Sequence, residues 1–225
     1  MSNNNNPLFN TARTTGFWYL ILAVSGISGF MIVHPQVFIA NDPQMTLTNL
    51  INHEGLARTR LLLEFVIVIS QALTAVWFYK LFRSVNEWAA WTLGIWGMVN
   101  SAAIMISAIS MSSAISIAQS AMEPVNQVML TELLTGLGSN AWGVGSIFFG
   151  LWLIPMGYII ISSKRMPVWL GWTLIIGSIG YLSSTFLNYS GFETSFTRLL
   201  TVPATIGEFW MIGYLLIYGI RPATD

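Results

Sequence analysis

Six long apolar stretches follow one another along the chain, and they constrain the fold more than any other feature. Each has roughly the 20 residues that a helix needs to cross the hydrocarbon core of a membrane. Only 8% of the residues are charged, against about 25% in ordinary soluble domains. The chain is therefore predicted to be an all-α, polytopic membrane protein with six transmembrane helices in one bundle. The stretches lie at about residues 15–37, 60–82, 88–118, 140–162, 168–188 and 201–220.

Positive charges predict how these stretches cross the membrane. The chain has nine Lys and Arg residues, and six of them fall on the side that holds the N-terminus. An excess of Lys and Arg marks the cytoplasmic side of a membrane protein. We therefore expect a multi-pass membrane protein with both termini cytoplasmic. The inner group is Arg13, Lys80, Arg83, Lys164, Arg165 and Arg221, and the outer group is Arg58, Arg60 and Arg198.

The polar segments at the two ends are short. Residues 1–14 and 221–225 are predicted to be cytoplasmic tails, and residues 15–220 form the transmembrane domain. The first apolar stretch is longer than the roughly 7–15 residues of a signal-peptide core. It is therefore interpreted as an uncleaved membrane span.

Two outer connections, at about 38–59 and 119–139, repeat apolar residues with helical spacing. This pattern predicts two short amphipathic helices on the outer surface. Ordered loops packed on helix ends are the alternative. The apolar residues are Met45, Leu47, Leu50, Ile51 and Leu56 in the first connection and Val125, Val128, Met129, Leu133 and Leu137 in the second.

Polar side chains within the apolar stretches are the candidate functional residues, and Glu208 is the foremost of them. A charged group near the bilayer centre costs about 2.5–3.5 kcal/mol on insertion scales. Counting helical rise places several polar groups together in the outer half of the membrane. We therefore predict an outer-facing pocket that binds a small polar molecule or lipid headgroup. Its residues are Glu208, Tyr181, Glu64, Asn188, His34, Arg60 and Arg198.

A structural interpretation of the same residues stays open. Arg60 and Glu64 have the i, i+4 spacing of a helical ion pair, whose ends would extend to the membrane interface. Glu208 would then hydrogen-bond a neighbouring helix, through Tyr181 or Arg198. We favour the functional interpretation for Glu208 and the structural one for Glu64.

Gln71 and Asn100 form a second polar group near the predicted midplane. A hydrogen bond between spans two and three would satisfy both, and such bonds contribute about 0.6 kcal/mol on average. They are predicted to serve helix packing.

Several kinds of chemistry lack the residues that they need. The chain has no cysteine, and His34 and His53 are its only histidines. No metal site and no cofactor are predicted, and the net charge of zero gives no basis for a nucleic-acid partner. The residues favour a non-enzymatic role.

Two segments suggest an internal repeat. "WAAWTLGI" at 88–95 and "WLGWTLII" at 169–176 share the pattern Trp-x-x-Trp-Thr-Leu-x-Ile and lie 81 positions apart. A parallel duplication would relate spans two and three to spans four and five.

Three further segments carry a family resemblance. "ARTTGFWYL" at 12–20, "IGEFW" at 206–210 and above all the Pro-x-Trp-Leu-Gly block within 148–186 resemble a prokaryotic integral-membrane family, domain of unknown function 4386. The resemblance implies a six-helix protein of the bacterial cytoplasmic (inner) membrane without an established role. Relatives often carry an Arg and a Glu in span three, where this chain has Gly97 and Asn100. The matching positions are Arg13, Gly16, Tyr19, Pro167, Trp169, Leu170, Gly171, Gly180, Tyr181, Gly207 and Glu208.

Three functions follow as hypotheses. The first is binding of a small polar molecule or lipid headgroup around Glu208. The second is an accessory or structural subunit, with a membrane-protein partner or a second copy of the chain. The third is a membrane enzyme that uses Glu208 as acid or base. In each case the lipid bilayer is the expected environment.

Overall fold

The structure, a computed structural model, describes residues 7–192 and 194–221, without the side chains of Pro7, Ser195 and Arg198. All regular elements in those ranges are helical, so the predicted all-α class is confirmed. The elements are α1 Pro7–Ile27, a π-helical segment Ser28–Val33, α2 His34–Val37, α3 Pro43–Asn52, α4 Glu54–Phe82, α5 Glu87–Ala118, α6 Pro124–Ser163, α7 Val168–Tyr189, α8 Ser195–Leu199 and α9 Val202–Ile217.

The predicted apolar stretches each correspond to a helical segment. Five segments are long and apolar enough to cross a membrane: Leu8–Val37, Glu54–Phe82, Glu87–Ala118, Pro124–Ser163 and Val168–Tyr189. The last stretch forms a shorter apolar helix, Val202–Ile217, of 16 residues. At 1.5 Å per residue this helix is about 24 Å long, less than the hydrocarbon thickness of about 30 Å. The five longer segments confirm the polytopic membrane class.

The first helix begins earlier than predicted. It starts at Pro7, so residues 7–14 of the predicted tail are helical. Proline suits a helix start because its missing N–H has no partner there in any case. Residues 1–6 and 222–225 of the predicted tails lie outside the described residues.

The first predicted surface helix is present as α3. Asp42 is its N-cap, and the Asp42 Oδ1 accepts a hydrogen bond from the Met45 N–H at 2.8 Å. Leu47 and Leu50 are buried in an apolar cluster, whereas Met45 is exposed. Part of the predicted apolar face therefore faces the protein.

The second predicted surface helix is wrong as a separate element. Residues 124–137 are the first part of α6, which continues for 40 residues, about 60 Å. Gly136 and Gly138 do not end the helix, because a glycine inside a helix costs only about 1 kcal/mol. The predicted face is also turned outward. Its exposed members are Val125, Met129, Leu133 and Leu137.

Gln127 and Thr131 lie on the buried side of α6 instead. The Gln127 Nε2 donates to the carbonyl oxygens of Ile117 at 3.0 Å and Ser120 at 2.9 Å. These carbonyls lie at the C-terminal end of α5, where a helix leaves acceptors without intrahelical partners. Gln127, which is not part of the predicted apolar face, therefore caps the C-terminal end of α5.

The chain divides into two compact units. The first comprises Met1–Leu20, Ser70–Asn100 and Val144–Asp225, and the second comprises Ile21–Ile69 and Ser101–Gly143. In the first unit α7 packs closely on α9. At Gly177 the two backbones are so close that a Cβ would lie 2.5 Å from the backbone of Ala204. Small residues allow this approach between membrane helices.

Some helix boundaries agree with the predicted repeat. The offset of 81 residues superimposes the end of α4 on the end of α6, and the start of α5 on the start of α7. The turns 83–86 and 164–167 therefore have the same length. The start of α4 and the end of α5 do not superimpose on the corresponding ends of α6 and α7, so the repeat stays a prediction.

Candidate functional site

The predicted site residues fall into two groups, one in each unit. Glu208 and Tyr181 belong to the first unit, and His34, Arg60 and Glu64 belong to the second. Asn188 is exposed near the end of α7. The side chain of Arg198 is outside the described part of the chain. We therefore treat the two groups as separate sites.

Arg60 and Glu64 form the predicted ion pair on α4. The Arg60 Nη1 lies 2.7 Å from the Glu64 Oε2, and both side chains are 0% exposed. The interpretation that their ends extend to the membrane interface is wrong, because neither side chain has exposed surface. A buried pair of this kind requires further hydrogen bonds to offset the loss of hydration.

Trp142 supplies one of these bonds. Its Nε1 donates to the Glu64 Oε1 at 2.7 Å, so both carboxylate oxygens accept a hydrogen bond. Phe30 supplies a further contact, since the Arg60 Cζ lies 4.5 Å from the centre of its ring. Such a geometry is a cation–π interaction. Neither aromatic residue was predicted from the sequence as part of the site. A signal existed for Trp142, because a buried indole N–H usually needs a partner.

The π-helical segment sets the path of the chain beside Arg60. It contains Gly29, and a Cβ added there would lie 3.3 Å from the Arg60 Nη1. Single π turns in membrane and soluble helices are often found at functional sites. Phe30 belongs to the same segment, and His34 follows it directly. The segment therefore brings a glycine, an aromatic ring and an imidazole to the guanidinium.

One edge of the Arg60 guanidinium remains available. Within the described residues, the Nε and Nη2 of Arg60 and the Nδ1 of His34 have no hydrogen-bond partner. The N–H groups on Nε and Nη2 point in the same direction, which matches two oxygens of a carboxylate or phosphate. We call this pair of donors the Arg60 fork. Nη1, held by Glu64, fixes its orientation.

Arg60 and His34 lie on the wall of a cavity of about 950 Å³ within the second unit. This volume lies in the range of about 300–1,000 Å³ that is typical of small-molecule pockets. Rings and methyl groups from Phe30, Phe38, Met111 and Leu134 form much of the wall. Its polar members include Asp42, Thr46, Ser107, Ser110, Glu132 and Thr135.

Glu208, Tyr181 and Asn188 do not line that cavity. Glu208 instead accepts a hydrogen bond from the hydroxyl of Tyr19, a buried residue of α1. This donor differs from Tyr181, the expected partner, and the side chain of Arg198, the other expected partner, lies outside the described part of the chain. Because α1 begins at Pro7, Tyr19 lies twelve residues along it, about 18 Å from its start. With the start predicted from the sequence, at about residue 15, Tyr19 would lie close to the helix end.

Aromatic rings surround the Tyr19–Glu208 pair. The Tyr19 ring makes edge contacts with Phe78 at 5.6 Å and with Trp152 at 5.5 Å, measured between ring centroids. Phe149 links this group to Tyr181, at 5.4 Å from Trp152 and 5.5 Å from Tyr181. Packing of this kind stabilises the first unit and limits the access of water to the carboxyl group.

Gln71 and Asn100 are both buried, as a packing role requires. The Gln71 Nε2 donates to the Gly97 carbonyl oxygen on α5 at 3.4 Å. The expected bond between the two amides is wrong: in the described residues the Gln71 Oε1 and the Asn100 Nδ2 have no partner. Gly97 allows the close approach, because a Cβ there would meet Ala75.

The second histidine, His53, is exposed and takes no part in either group. Among the described residues, His, Asp and Glu side chains form no cluster of three that would suit a metal ion.

Comparison with known proteins gives a family match over most of the chain. The model of the family described as "Domain of unknown function (DUF4386)" matches residues 14–219. An uncharacterized protein of Archaeoglobus fulgidus is 32% identical over 69 residues, which are 31% of this chain and 43% of that relative. The chain thus covers less than half of the length of this curated relative. No solved structure matches the chain.

Proposed function

Since the chain belongs to the family of domain of unknown function DUF4386, we propose a function from its own geometry: it is an integral membrane protein that binds a small amphiphilic molecule. The polar end of that molecule contacts Arg60, and its apolar part packs against the rings that line the cavity. The carrying observation is the Arg60 fork: two buried donors without an acceptor in the described residues, on a side chain that belongs to the wall of a cavity of about 950 Å³.

The energetics of burial support this proposal. A buried donor without an acceptor costs about 1–3 kcal/mol, so the fork favours any ligand that brings two acceptor oxygens. Glu64 and Phe30 hold the guanidinium in place before a ligand arrives. A preorganised donor pair loses little entropy on binding. His34 adds a further nitrogen at the same wall.

The other hypotheses have weaker support. Glu208 already accepts a hydrogen bond from Tyr19 and is not one of the residues that line the cavity, which weakens the case for an enzyme with Glu208 as acid or base. An accessory subunit stays a prediction. It would use the outward row of apolar residues on the first part of α6.

The binding proposal is tested by replacing the fork while keeping the charge. Arg60→Lys retains a cation for Glu64 but has no planar pair of donors. Native mass spectrometry of protein purified from membranes in mild detergent measures the fraction with a bound small amphiphile. We expect this fraction to fall about tenfold in Arg60→Lys, which corresponds to about 1.4 kcal/mol.

Arg58→Lys is the matched control, because Arg58 is an exposed residue of the same helix that pairs with Glu54 at 2.6 Å. It should bind as the wild type does. Ser139→Trp tests the cavity without touching the ion pair, since Ser139 is an exposed residue of the wall. It should reduce binding. Equal bound fractions in the wild type, Arg60→Lys and Ser139→Trp would refute the proposal.

We also propose a prokaryotic inner-membrane location, with both termini in the cytoplasm and the cavity open to the outer side. Six of the nine Lys and Arg residues support this orientation. A C-terminal green fluorescent protein fusion should fluoresce, and a C-terminal alkaline phosphatase fusion should be inactive. The reverse pair of results would overturn the orientation.

A further inference from the structure

The charges on the cavity wall are unevenly distributed. Its titratable groups are Arg60, His34, Asp42 and Glu132. The charge of Arg60 is balanced by Glu64. The ion pairs of the described residues are Arg60–Glu64 and the exposed Arg58–Glu54, and neither involves Asp42 or Glu132. The wall therefore has two acidic groups without a neutralising cation.

Asp42 is held in a defined position. Its Oδ1 caps α3 through the Met45 N–H, which leaves the Oδ2 available. The turn before it is fixed by Thr46, whose Oγ1 accepts from the Ile39 N–H at 2.9 Å. Glu132 comes from the exposed face of α6 at the same cavity. Two carboxylates, one at the N-cap of α3 and one on α6, thus line the same cavity as Arg60.

A simple anion does not match this arrangement. Its oxygens would bind the fork, but its charge would add to those of Glu64, Asp42 and Glu132 in one partly enclosed space. Juxtaposed like charges oppose binding and select against a ligand. A ligand that also carries an ammonium group removes this conflict, because the ammonium can donate to a carboxylate while the oxyanion accepts from the fork.

On the basis of the proposed function, we propose that the amphiphile is zwitterionic. Its oxyanion binds the Arg60 fork, and its ammonium group lies beside Asp42 and Glu132. A phospholipid with an ethanolamine headgroup has this chemistry, and so does free phosphoethanolamine. Apolar residues of the wall, among them Phe38 and Met111, give the lipid the larger contact.

The test compares two phospholipids with the same acyl chains and the same phosphodiester, of which only one carries an ammonium group in its headgroup. Delipidated protein in detergent is titrated with phosphatidylethanolamine or phosphatidylglycerol of identical acyl chains, and bound lipid is counted by native mass spectrometry. We expect the ethanolamine lipid to bind about tenfold more tightly. The double variant Asp42→Asn, Glu132→Gln should lose this preference.

These substitutions are chosen to preserve the fold. Asn is as good an N-cap as Asp, and Glu132 is exposed. Glu123→Gln is the matched control, because Glu123 is an exposed acid just before α6 that does not line the cavity. It should keep the full preference for the ethanolamine lipid.

The outcomes separate the two proposals. Binding of both lipids with equal affinity, still weakened by Arg60→Lys, would overturn the zwitterion and leave the proposed function intact. Absence of binding of either lipid and of phosphoethanolamine, with no effect of Arg60→Lys on native bound amphiphile, would overturn both. Displacement of the lipid by free phosphoethanolamine would assign recognition to the headgroup alone. Failure to displace it would show that the acyl chains are needed as well.

Discussion

Glu64 and Glu208 are carboxylates of two apolar helices, and the two units satisfy them in opposite ways. Glu64 pairs with a cation one turn away and accepts a second bond from Trp142. Glu208 accepts from the neutral hydroxyl of Tyr19, within a cluster of aromatic rings. The first arrangement leaves two donors of Arg60 without an acceptor in the described residues, and Arg60 belongs to the wall of a cavity.

The comparison shows that burial of a carboxylate does not by itself mark a binding site. Charged residues in a membrane helix are candidates for function, and on that ground Glu208 was the first choice. In the described residues the Tyr19 hydroxyl donates to it, and aromatic rings surround the pair. What distinguishes the second unit is the surplus of donors: Arg60 has more N–H groups than Glu64 can accept. A buried donor without an acceptor, on a residue that lines a cavity, is therefore a better indicator of a binding site than a buried carboxylate.

The largest effect is expected when the buried ion pair is broken. Glu64→Gln leaves the charge of Arg60 without a counter-ion, and such changes cost about 3–5 kcal/mol of unfolding free energy. Denaturant unfolding in detergent measures this change. Glu54→Gln is the control, because Glu54 and Arg58 have the same spacing on the same helix but are exposed. It should change stability by about 0–1 kcal/mol. Equal effects of the two substitutions would contradict the burial of Arg60 and Glu64.

A smaller effect is expected in the first unit. Tyr19→Phe keeps the ring contacts and removes the donor to Glu208, which should cost about 1–3 kcal/mol. Glu208→Gln should cost less, because its amide oxygen can still accept from Tyr19. A double-mutant cycle of Tyr19→Phe with Glu208→Leu, which removes the acceptor, measures the coupling between the two residues in the same unfolding assay. No coupling would mean that the hydroxyl does not serve Glu208.

The smallest effect concerns the buried amides. Gln71 makes one long bond to the Gly97 carbonyl in the first unit, so Gln71→Leu should cost about 0.6 kcal/mol or less. Gln127 makes two shorter bonds to the end of α5 in the second unit. Gln127→Leu should therefore cost more, about 1–3 kcal/mol. A reversed order in unfolding free energy would show that Gln71 has partners beyond this bond.

Local features were predicted well because neighbouring residues encode them. The apolar stretches identify the membrane helices, since the length of an apolar run has to match the bilayer. The Arg60–Glu64 pair follows from i, i+4 spacing alone. Helix ends were less certain: α1 starts before the predicted tail ends, and the predicted surface helix at 124–137 is part of α6. Polar residues at a helix start do not tell whether the helix extends beyond the membrane.

The sequence by itself determined that this protein is helical, that it is built for a membrane, and that Arg60 can pair with Glu64. The tertiary structure alone decided which distant residues complete each group. Trp142 is 78 residues from Glu64, and Tyr19 is 189 residues from Glu208. Helical periodicity specifies neighbours on the same helix, but it does not specify which apolar faces meet. In a membrane those faces pack against each other or against lipid with similar hydrophobic energy, so the partners, and with them the cavity at Arg60, appear only when the helices are assembled.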